Sequence, residues 1–513
     1  MSEPMSDGPL SPAAMDTAAN LEAVHSRVAV RHHAEALAAL LHDARRVLTN
    51  PQVVGRLSRD FFWYSPILRP LLEGKSANMV VQPATRDEVR DVLRYCYAQD
   101  LPVTARGSGT GNYGQAVPLE RGVVLDLSRF DALLSITPDG VAICEPGLRL
   151  GSLEAEARAA GWELRCYPST VVKASVGGFL GGGSGGIGSV THGGLRDFNT
   201  VRALEVVTME AEPRMVMHEG EAVHDILHAW GTNGIITRIW LALTPAVEWA
   251  QCAIAFNTFL GAFDFAETVA TGERWTKRLV TVFEWPIPSF FTSLSSLVID
   301  GSALVFITIA LEQLPALKAA AEAAGGRVTF SGPQPNLRTV PLLSDFTWNH
   351  TTLWAIRADP AYTYLQCGFD PLDARAQFAK LKGRYKDQLL LHIEFMKRGD
   401  GVVVPGAIPV VRYLDAERLN EMIDHCRQIG VSVANPHVNH VEGGGRYRED
   451  AVQLLAKRRY DPKGLLNPGK MATFRSLDVS DGYETGEATK HLVTDIHSDG
   501  SMTMSADPEE LQS

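Results

Sequence analysis

The sequence of 513 residues lacks three features that would place it in a special class of protein. Its six cysteines are scattered, with no two closer than 22 residues, and this excludes CxxC metal and redox sites. No apolar run approaches the roughly 18 residues that a membrane-spanning helix needs. The start of the chain lacks the basic and then apolar segments of a secretory signal. We therefore expect free thiols and a cytoplasmic protein without a transmembrane segment.

The sequence also lacks an excess of positive charge. Its net charge is −11, to which residues 1–20 contribute three acidic and no basic side chains. Residues 474–513 contribute nine acidic and two basic side chains, so residues 21–473 carry only about −1. A near-neutral body has no basic stripe for a phosphate backbone, and nucleic acid is not an expected partner.

What remains is a globular composition, with 45% hydrophobic and 21% charged residues. Changes in composition and in hydrophobic pattern along the chain divide it into six regions. We expect a disordered N-terminus at 1–20, a helical segment at 21–74, a strand–helix region at 75–246, a more aromatic α/β region at 247–430, a turn-rich segment at 431–473, and an acidic flexible tail at 474–513.

Glycine is abundant and concentrated in two clusters. The first follows a strand-like run that ends at Arg106, and Gly109 to Gly114 match the dinucleotide pattern GxGxxG. A Rossmann site needs a helix to begin at this point. Pro118 and Gly122 follow instead, ahead of another strand. The context therefore argues against a nicotinamide dehydrogenase.

The second cluster has ten glycines among residues 177–194. Because glycine loses much backbone entropy on folding, such a run is either a flexible linker or a backbone pressed against a ligand. Interspersed apolar residues such as Phe179 and Leu180 favour the ligand. Two glycine segments that follow strands indicate an elongated ligand containing phosphate. Main-chain amides would hold a diphosphate without basic side chains, which agrees with the neutral body.

The order of several short segments resembles FAD-dependent oxidoreductases of the vanillyl-alcohol oxidase type, which have a PCMH-type FAD-binding domain. The glycolate/D-lactate dehydrogenase branch, that of the FAD-linked oxidases, is the most similar. The segments with this resemblance are 81–89, RGSGTG at 106–111, EPG at 145–147, PST at 168–170, SVGG at 175–178 with the glycine run, GLRD at 194–197, GTNGIIT at 231–237 and DPKGLLNPGK at 461–470.

The resemblance implies an α+β fold. A PCMH-type FAD-binding domain of two subdomains would span 75–246, residues 431–473 would return to it, and 247–430 would be an α/β substrate (cap) domain. Thr110 stands where other branches attach FAD through histidine, which implies non-covalent FAD. The residues that the resemblance assigns to the cofactor are Arg106, Gly107, Ser108, Gly109, Thr110, Gly111, Pro168, Ser169, Gly177, Gly178, Gly182, Ser184, Gly188, Gly234, Ile235, Ile236, Asn467 and Lys470.

The sequence departs from that branch at two places. Lys397 replaces the first histidine of its HxGDGNxH motif, and His440-Val-Glu442-Gly stands where the branch has EHG. We predict no metal site. An alternative zinc site would use His437, His440 and Glu442, although their spacing is tight.

Three groups of residues have the side chains that proton transfer from a substrate requires. His392 and Glu394 alternate on a strand-like run and share one face, either as an acid–base pair or as an internal polar pair. His437 and His440 flank a turn that either lies near the flavin or only connects segments. His350 is the fifth catalytic candidate. Trp348 and Asn349 beside it, with Arg412 and Tyr413, are the substrate-binding candidates, and plain core or solvated surface is their alternative.

These features predict an FAD-dependent oxidoreductase. It would transfer a hydride from a CH–OH group, with a 2-hydroxy acid favoured, to non-covalent FAD. Oxygen, a quinone or a carrier protein would then reoxidise the flavin. One alternative is the oxidation of an aromatic or phenolic alcohol, and another is a flavin-binding electron-transfer subunit without substrate chemistry. The sequence is compatible with a homo-oligomer.

Overall fold

A computed structural model describes residues 28–335, 342–442 and 450–474, with the antiparallel pair Asp495–Ile496 and Met502–Thr503. The predicted disordered N-terminus at 1–20 and acidic tail lie outside the described residues, apart from Phe474 and this pair. Helices and sheets are mixed along the chain, as the predicted α+β class requires. Among the described residues no helix is long and apolar enough to cross a membrane.

The first sheet has the strand order β1-β2-β4-β3, with β2, β4 and β3 parallel and β1 antiparallel to β2. The predicted helical segment at 21–74 is therefore only partly helical, because β1 lies within it. The elements are α1 (28–39), β1 (Val47–Leu48), α2 (Pro51–Leu57), α3 (Leu68–Leu72), β2 (Met79–Val81), α4 (Arg86–Ala98), β3 (Val103–Arg106) and β4 (Val123–Asp126).

The second sheet is antiparallel, in the order β5-β6-β10-β8-β9, and β7 pairs with the end of β10. The glycine-rich run forms two short helices, α6 and α7, that lie between the strands of this sheet in the sequence. The elements are β5 (Leu133–Ile136), β6 (Val141–Cys144), α5 (Leu150–Ala159), β7 (Trp162–Leu164), α6 (Val176–Gly182), α7 (Ser189–His192), β8 (Val201–Val207), β9 (Met215–Glu219) and β10 (Ile235–Pro245).

The third sheet is antiparallel and has eight strands, in the order β14-β11-β13-β12-β18-β19-β16-β21. A separate sheet has the order β15-β20-β17. The elements are β11 (Trp249–Phe256), α8 (Phe259–Thr271), β12 (Lys277–Phe283), β13 (Ala303–Ala310), α9 (Leu314–Ala323), β14 (Arg327–Pro333), α10 (Asn349–Ala358), β15 (Tyr362–Tyr364), β16 (Cys367–Gly368), α11 (Ala374–Tyr385), β17 (Leu389–Leu390), β18 (His392–Lys397), β19 (Val403–Ala407), β20 (Val410–Arg412), α12 (Ala416–Gln428) and β21 (Ser432–Val433).

The third sheet extends past the predicted boundary at residue 430, because β21 pairs with β16. Helix α13 (Asp450–Tyr460) follows, and the chain then returns to the first sheet. Leu466 forms a parallel bridge with Val103 and is buried in the core of that sheet. The segment after α13 thus packs on the first sheet.

A buried charge cluster joins the third sheet to the second. Arg278 on β12 is only 3% exposed, and its guanidinium donates to Glu154 Oε1 at 3.0 Å and to the Leu164 carbonyl at 3.0 Å. Glu163 Oε2 lies 3.5 Å from the same guanidinium and also accepts a hydrogen bond from Trp249. Burial alone would lower the pKa of Arg278, but Tyr167 and the two carboxylates raise it.

We expect Arg278→Ala to lower the free energy of unfolding by about 3 kcal/mol, because it removes the fully buried cation of the cluster and leaves only the half-buried Arg158 beside the two buried carboxylates. Arg202, which is exposed on β8, is the matched control, and Arg202→Ala should change stability by less than about 0.5 kcal/mol. Urea unfolding followed by circular dichroism would measure both. Equal stability of the two variants would contradict a structural role for the cluster.

Candidate functional site

One cavity of about 340 Å³ is lined by residues of all three large sheets and their loops. The loop after β3, helix α6 and the segment 226–236 form one side. The start of α10, strand β18 and the end of β19 form the other. The cavity therefore brings together the two glycine clusters and several catalytic candidates that are far apart in the sequence.

The first glycine cluster presents main-chain amides to this cavity. Among the described residues, no amide from Ser108 to Gly111 donates a hydrogen bond to a protein group. Gly109 has a φ of +63°, a left-handed conformation that glycine adopts at little cost. The four residues are half-buried. Half-buried amides without protein partners are suited to bind an anionic group such as a diphosphate.

The second glycine cluster serves two purposes. At Gly177 a Cβ would lie 2.5 Å from Pro146 Cβ, so glycine allows close packing there. At Gly181, which lines the cavity, a Cβ would meet no protein atom within 4 Å. Glycine at this position keeps space open for a ligand. The linker interpretation is wrong, because the run forms two packed helices. Phe179 and Leu180 of α6 lie in the core of the second sheet, and Val190 of α7 lies in the core of the third.

Most of the predicted cofactor residues line this cavity. They are Arg106, Gly107, Ser108, Gly109, Thr110, Gly111, Pro168, Ser169, Gly177, Gly178, Gly182, Ser184, Gly234, Ile235 and Ile236. Gly188, Asn467 and Lys470 do not. Gly188 instead donates its amide to the Arg278 carbonyl at 2.7 Å, and Asn467 donates to the carbonyls of Gln115 and Trp230. Lys470 is fully buried outside the lining.

Glu394 and His392 form a hydrogen-bonded pair, as their alternation on one strand predicts. His392 Nε2 lies 2.9 Å from Glu394 Oε1, which also accepts the Trp348 amide at 2.7 Å. Glu394 lines the cavity, whereas His392 is completely buried behind it and stacks on Phe283. His392 is therefore placed to orient Glu394 and not to contact a ligand.

Trp348, Asn349 and His350 all line the cavity at the start of α10. The Trp348 Nε1 and Asn349 Oδ1 atoms are buried and have no hydrogen-bond partner in the described part of the chain. His350 Nδ1 lies 3.0 Å from the Asp345 carbonyl. A carbonyl only accepts, so this nitrogen carries the proton and Nε2 is left as an acceptor. Burial lowers the pKa of His350.

His437 and His440 do not line the cavity, which corrects their assignment as candidate bases. His437 is buried, with Nδ1 2.8 Å from Ser65 Oγ and Nε2 2.8 Å from the Tyr364 carbonyl. Both of its nitrogens are therefore engaged in structural contacts. His440 lies 3.6 Å from a Glu442 oxygen, at the edge of the C-terminal return. No group of three potential metal ligands occurs among the described residues, so the zinc alternative lacks support.

Two predicted substrate residues lie elsewhere. Arg412 is exposed at the end of β20, 3.4 Å from an Asp359 oxygen. Tyr413 packs against the core of the third sheet. Neither lines the cavity. Strand β20 lies instead between β15 and β17 in the three-stranded sheet.

The sequence analysis missed several lining residues, among them Asp60, Tyr64, Tyr113, His228 and Trp230. Trp230 and His228 both have positive φ, +54° and +60°, and strained residues of this kind cluster at functional sites. Trp230 stacks on Tyr113, with ring centroids 6.0 Å apart. The aromatic run at 61–64 and the tryptophan before the predicted segment 231–237 are signals that could have found two of them, Tyr64 and Trp230.

The buried His437 predicts a dependence of stability on pH. Burial lowers its pKa to about 4 from an ordinary value of 6.5, so the unfolded chain binds the proton more tightly. The stabilisation is present above pH 6.5 and is lost as the pH falls towards 4. The loss should amount to about 3 kcal/mol.

We expect His437→Gln to have a shallower loss of unfolding free energy across this pH range than the unchanged protein. His32→Gln, at an exposed position on α1, should keep the full slope. Chemical unfolding at several pH values would measure the slopes. The same slope in all three proteins would show that His437 does not cause the loss.

Three comparisons relate this chain to known proteins. The family model described as "FAD binding domain" matches residues 77–214. The chain is 29% identical to the D-lactate dehydrogenase of Archaeoglobus fulgidus over 254 residues, 42% of this chain and 56% of that protein. It is 26% identical to the glycolate oxidase subunit GlcD of Escherichia coli over 452 residues, 81% and 87% of the two chains.

A solved structure of alkyldihydroxyacetonephosphate synthase covers 83% of this chain and 82% of its own, with a TM-score of 0.64 at 16% identity. That likeness shows a shared fold. The matched family segment contains the first glycine cluster, the second one and the strands that carry them. Residues 77–214 are therefore an FAD binding domain, which confirms the resemblance to FAD-dependent oxidoreductases and FAD as the cofactor.

Proposed function

We propose that this protein is an FAD-dependent oxidoreductase that oxidises a CH–OH group, with a small 2-hydroxy acid as the favoured donor. The proposal depends most on one observation: residues of both glycine clusters, Glu394 and His350 line the same cavity. The names of the relatives add support, because lactate and glycolate are both 2-hydroxy acids. The pair of glycine clusters would hold the cofactor, and the third sheet would supply the substrate contacts.

The residues of the cavity fit FAD held without a covalent bond. The amides of Ser108 to Gly111 would bind the diphosphate, and the space beside Gly181 would admit the cofactor. Thr110 in this loop offers no imidazole for a covalent link. When bound, FAD supplies the acceptor for a hydride from the substrate carbon.

His350 is the group best placed to take the hydroxyl proton of the substrate. Its Nε2 is an acceptor, and the lowered pKa keeps it unprotonated near neutral pH, as a general base requires. Glu394, held by His392 and the Trp348 amide, would orient the same hydroxyl. Trp348 Nε1 and Asn349 Oδ1 have no hydrogen-bond partner among the described residues. Trp348 Nε1 would donate a hydrogen bond to the substrate, and Asn349 Oδ1 would accept one from it.

An aromatic or phenolic alcohol is the second candidate substrate. Tyr64, Tyr113, Trp230 and Trp348 line the cavity, and Arg106 is the one lysine or arginine in its described lining. A carboxylate substrate would normally be met by a cation such as arginine. An uncharged aromatic substrate would instead be bound by the ring faces.

We further propose the domain organisation that the sequence predicts. The first two sheets would be the two subdomains of a PCMH-type FAD-binding domain at 75–246, completed by residues of 431–473. The third sheet with its helices would be the cap domain. The six cysteines are free, which fits the cytoplasmic location inferred from the sequence. Oxygen, a quinone or a carrier protein would reoxidise the flavin.

Anaerobic mixing with candidate donors would test the substrate class. We expect lactate, glycolate or 2-hydroxyglutarate to bleach the flavin absorption, and benzyl alcohols to do so if the second candidate is correct. His350→Asn should slow flavin reduction roughly 10²–10⁴-fold, as loss of a general base does. Arg412→Ala, outside the cavity, is the control and should leave the rate unchanged. Bleaching by no alcohol would instead favour an electron-transfer subunit.

A substitution at Gly181 would test where the cofactor lies. Gly181→Leu should lower the FAD content of the purified protein, because the side chain would fill space that no protein atom occupies. Gly55→Leu is the matched control, since Gly55 is also helical, has no atom within 4 Å of a Cβ and lies outside the cavity. Absorption spectra and apoprotein melting temperatures would be compared. Full FAD content in Gly181→Leu would show that the cofactor does not occupy the space beside Gly181.

A further inference from the structure

An arginine outside the cavity contacts the first glycine cluster from behind. Arg149 stands just before α5, and its guanidinium nitrogen Nη1 donates to Ser108 Oγ at 2.7 Å and also to the Lys173 carbonyl. Ser108 lines the cavity, and so does Ala174, which follows Lys173. Arg149 itself is exposed and does not line the cavity. One nitrogen therefore connects two of the segments that form the cavity wall.

The main chain fixes Arg149 at this place. Arg149 forms an antiparallel bridge with Ser175, and the Leu150 amide next to it donates to the Ala174 carbonyl at 3.0 Å. Ser175 Oγ accepts the Gly178 amide at 3.3 Å at the start of α6. The backbone of Arg149 is thus attached to the start of the second glycine cluster, while its side chain holds the first.

The contact with Arg149 determines what the Ser108 hydroxyl can do. A guanidinium only donates hydrogen bonds, so Ser108 Oγ is the acceptor in this pair. Among the described residues Ser108 Oγ donates to no protein group, and its main-chain amide also has no protein partner. The hydroxyl proton and the amide proton of one half-buried residue are therefore both available to a ligand.

The positive charge of Arg149 is not neutralised by the part of the chain that the structure describes. Both of its acceptors are uncharged oxygens, and no carboxylate there forms an ion pair with it. Its charge lies one side chain behind the amides of Ser108 to Gly111, which are suited to an anionic group. The diphosphate is the anionic part of FAD. Hydrogen bonds to a charged group are stronger than those between neutral groups.

We propose that Arg149 is a positioning residue for the diphosphate of FAD. By donating to Ser108 Oγ it directs the hydroxyl proton of Ser108 to the diphosphate, and its charge favours the anion at this loop. The proposal rests on FAD occupying this cavity, as the proposed function requires. It adds a cationic side chain to a site that the sequence predicts to depend on main-chain amides.

FAD titration of the apoprotein tests the proposal with four variants. We expect Arg149→Met to raise the Kd for FAD about tenfold, as loss of a hydrogen bond to a charged group does. Arg149→Lys, which keeps a charge and a donor, should stay within about threefold of the unchanged protein. Ser108→Ala should raise Kd about fivefold. The losses in the double variant should be less than additive, because both changes affect the same hydroxyl donor.

ADP and riboflavin separate an effect at the diphosphate from a general loss of structure. ADP contains a diphosphate, and riboflavin has no phosphate. Arg149→Met should therefore weaken ADP binding by about the same factor as FAD binding and leave the Kd for riboflavin unchanged. Arg69→Met, at an exposed position on α3 outside the cavity, is the matched control and should change none of the three.

Melting temperatures of the apoproteins would show which variants are folded. An unchanged Kd for FAD in folded Arg149→Met protein would overturn the proposal, and so would an equal loss of riboflavin binding. Fully additive losses in the double variant would overturn the action through Ser108. If Arg149→Met does not fold, Ser108→Ala decides, and an unchanged Kd for FAD in that variant overturns the proposal. Failure of the unchanged apoprotein to bind FAD would instead overturn the proposed function itself.

Discussion

The buried charge cluster of Arg278, Glu154 and Glu163 is the constraint on which the cavity depends. It joins a strand of the third sheet to a helix and a strand of the second, and its members are removed from water. The Arg278 carbonyl also accepts the Gly188 amide, so the same residue fixes the end of the glycine-rich run. The cavity is lined by residues of the two sheets that this cluster joins, and no member of the cluster is among them. Its shape is therefore set by an interaction that does not line it.

Glycine residues in this part of the chain have two different roles in forming the binding site. Where a Cβ would collide with another main chain, as at Gly177 and Gly186, glycine lets the loops approach one another. Where a Cβ would enter empty space, as at Gly181, glycine preserves room for a ligand. Within the described part of the chain, the amides of Ser108 to Gly111 have no protein partner. A diphosphate can therefore be held by a chain whose body is almost neutral.

The sequence was most informative where function depends on local pattern. The glycine clusters, the alternation of His392 and Glu394, and the polar group at Trp348 to His350 could all be identified from neighbouring residues. Asp60 was missed because it lies in a segment well before the glycine clusters, and only the fold brings it to the cavity. His437 was assigned to the site for its residue type, and only the fold shows that Ser65 and Tyr364 occupy both nitrogens. Contacts between distant segments have no signature in one sequence.

The segment after α13 connects two of the segments that line the cavity. Asn467 donates to the Gln115 carbonyl, just after the first glycine cluster, and to the Trp230 carbonyl in the segment before β10. During synthesis on a ribosome, which proceeds from the N-terminus, these contacts form only after almost the whole chain has emerged. The complete pocket therefore forms late during synthesis of the chain. FAD would therefore meet a complete pocket only after the residues up to Asn467 have left the ribosome.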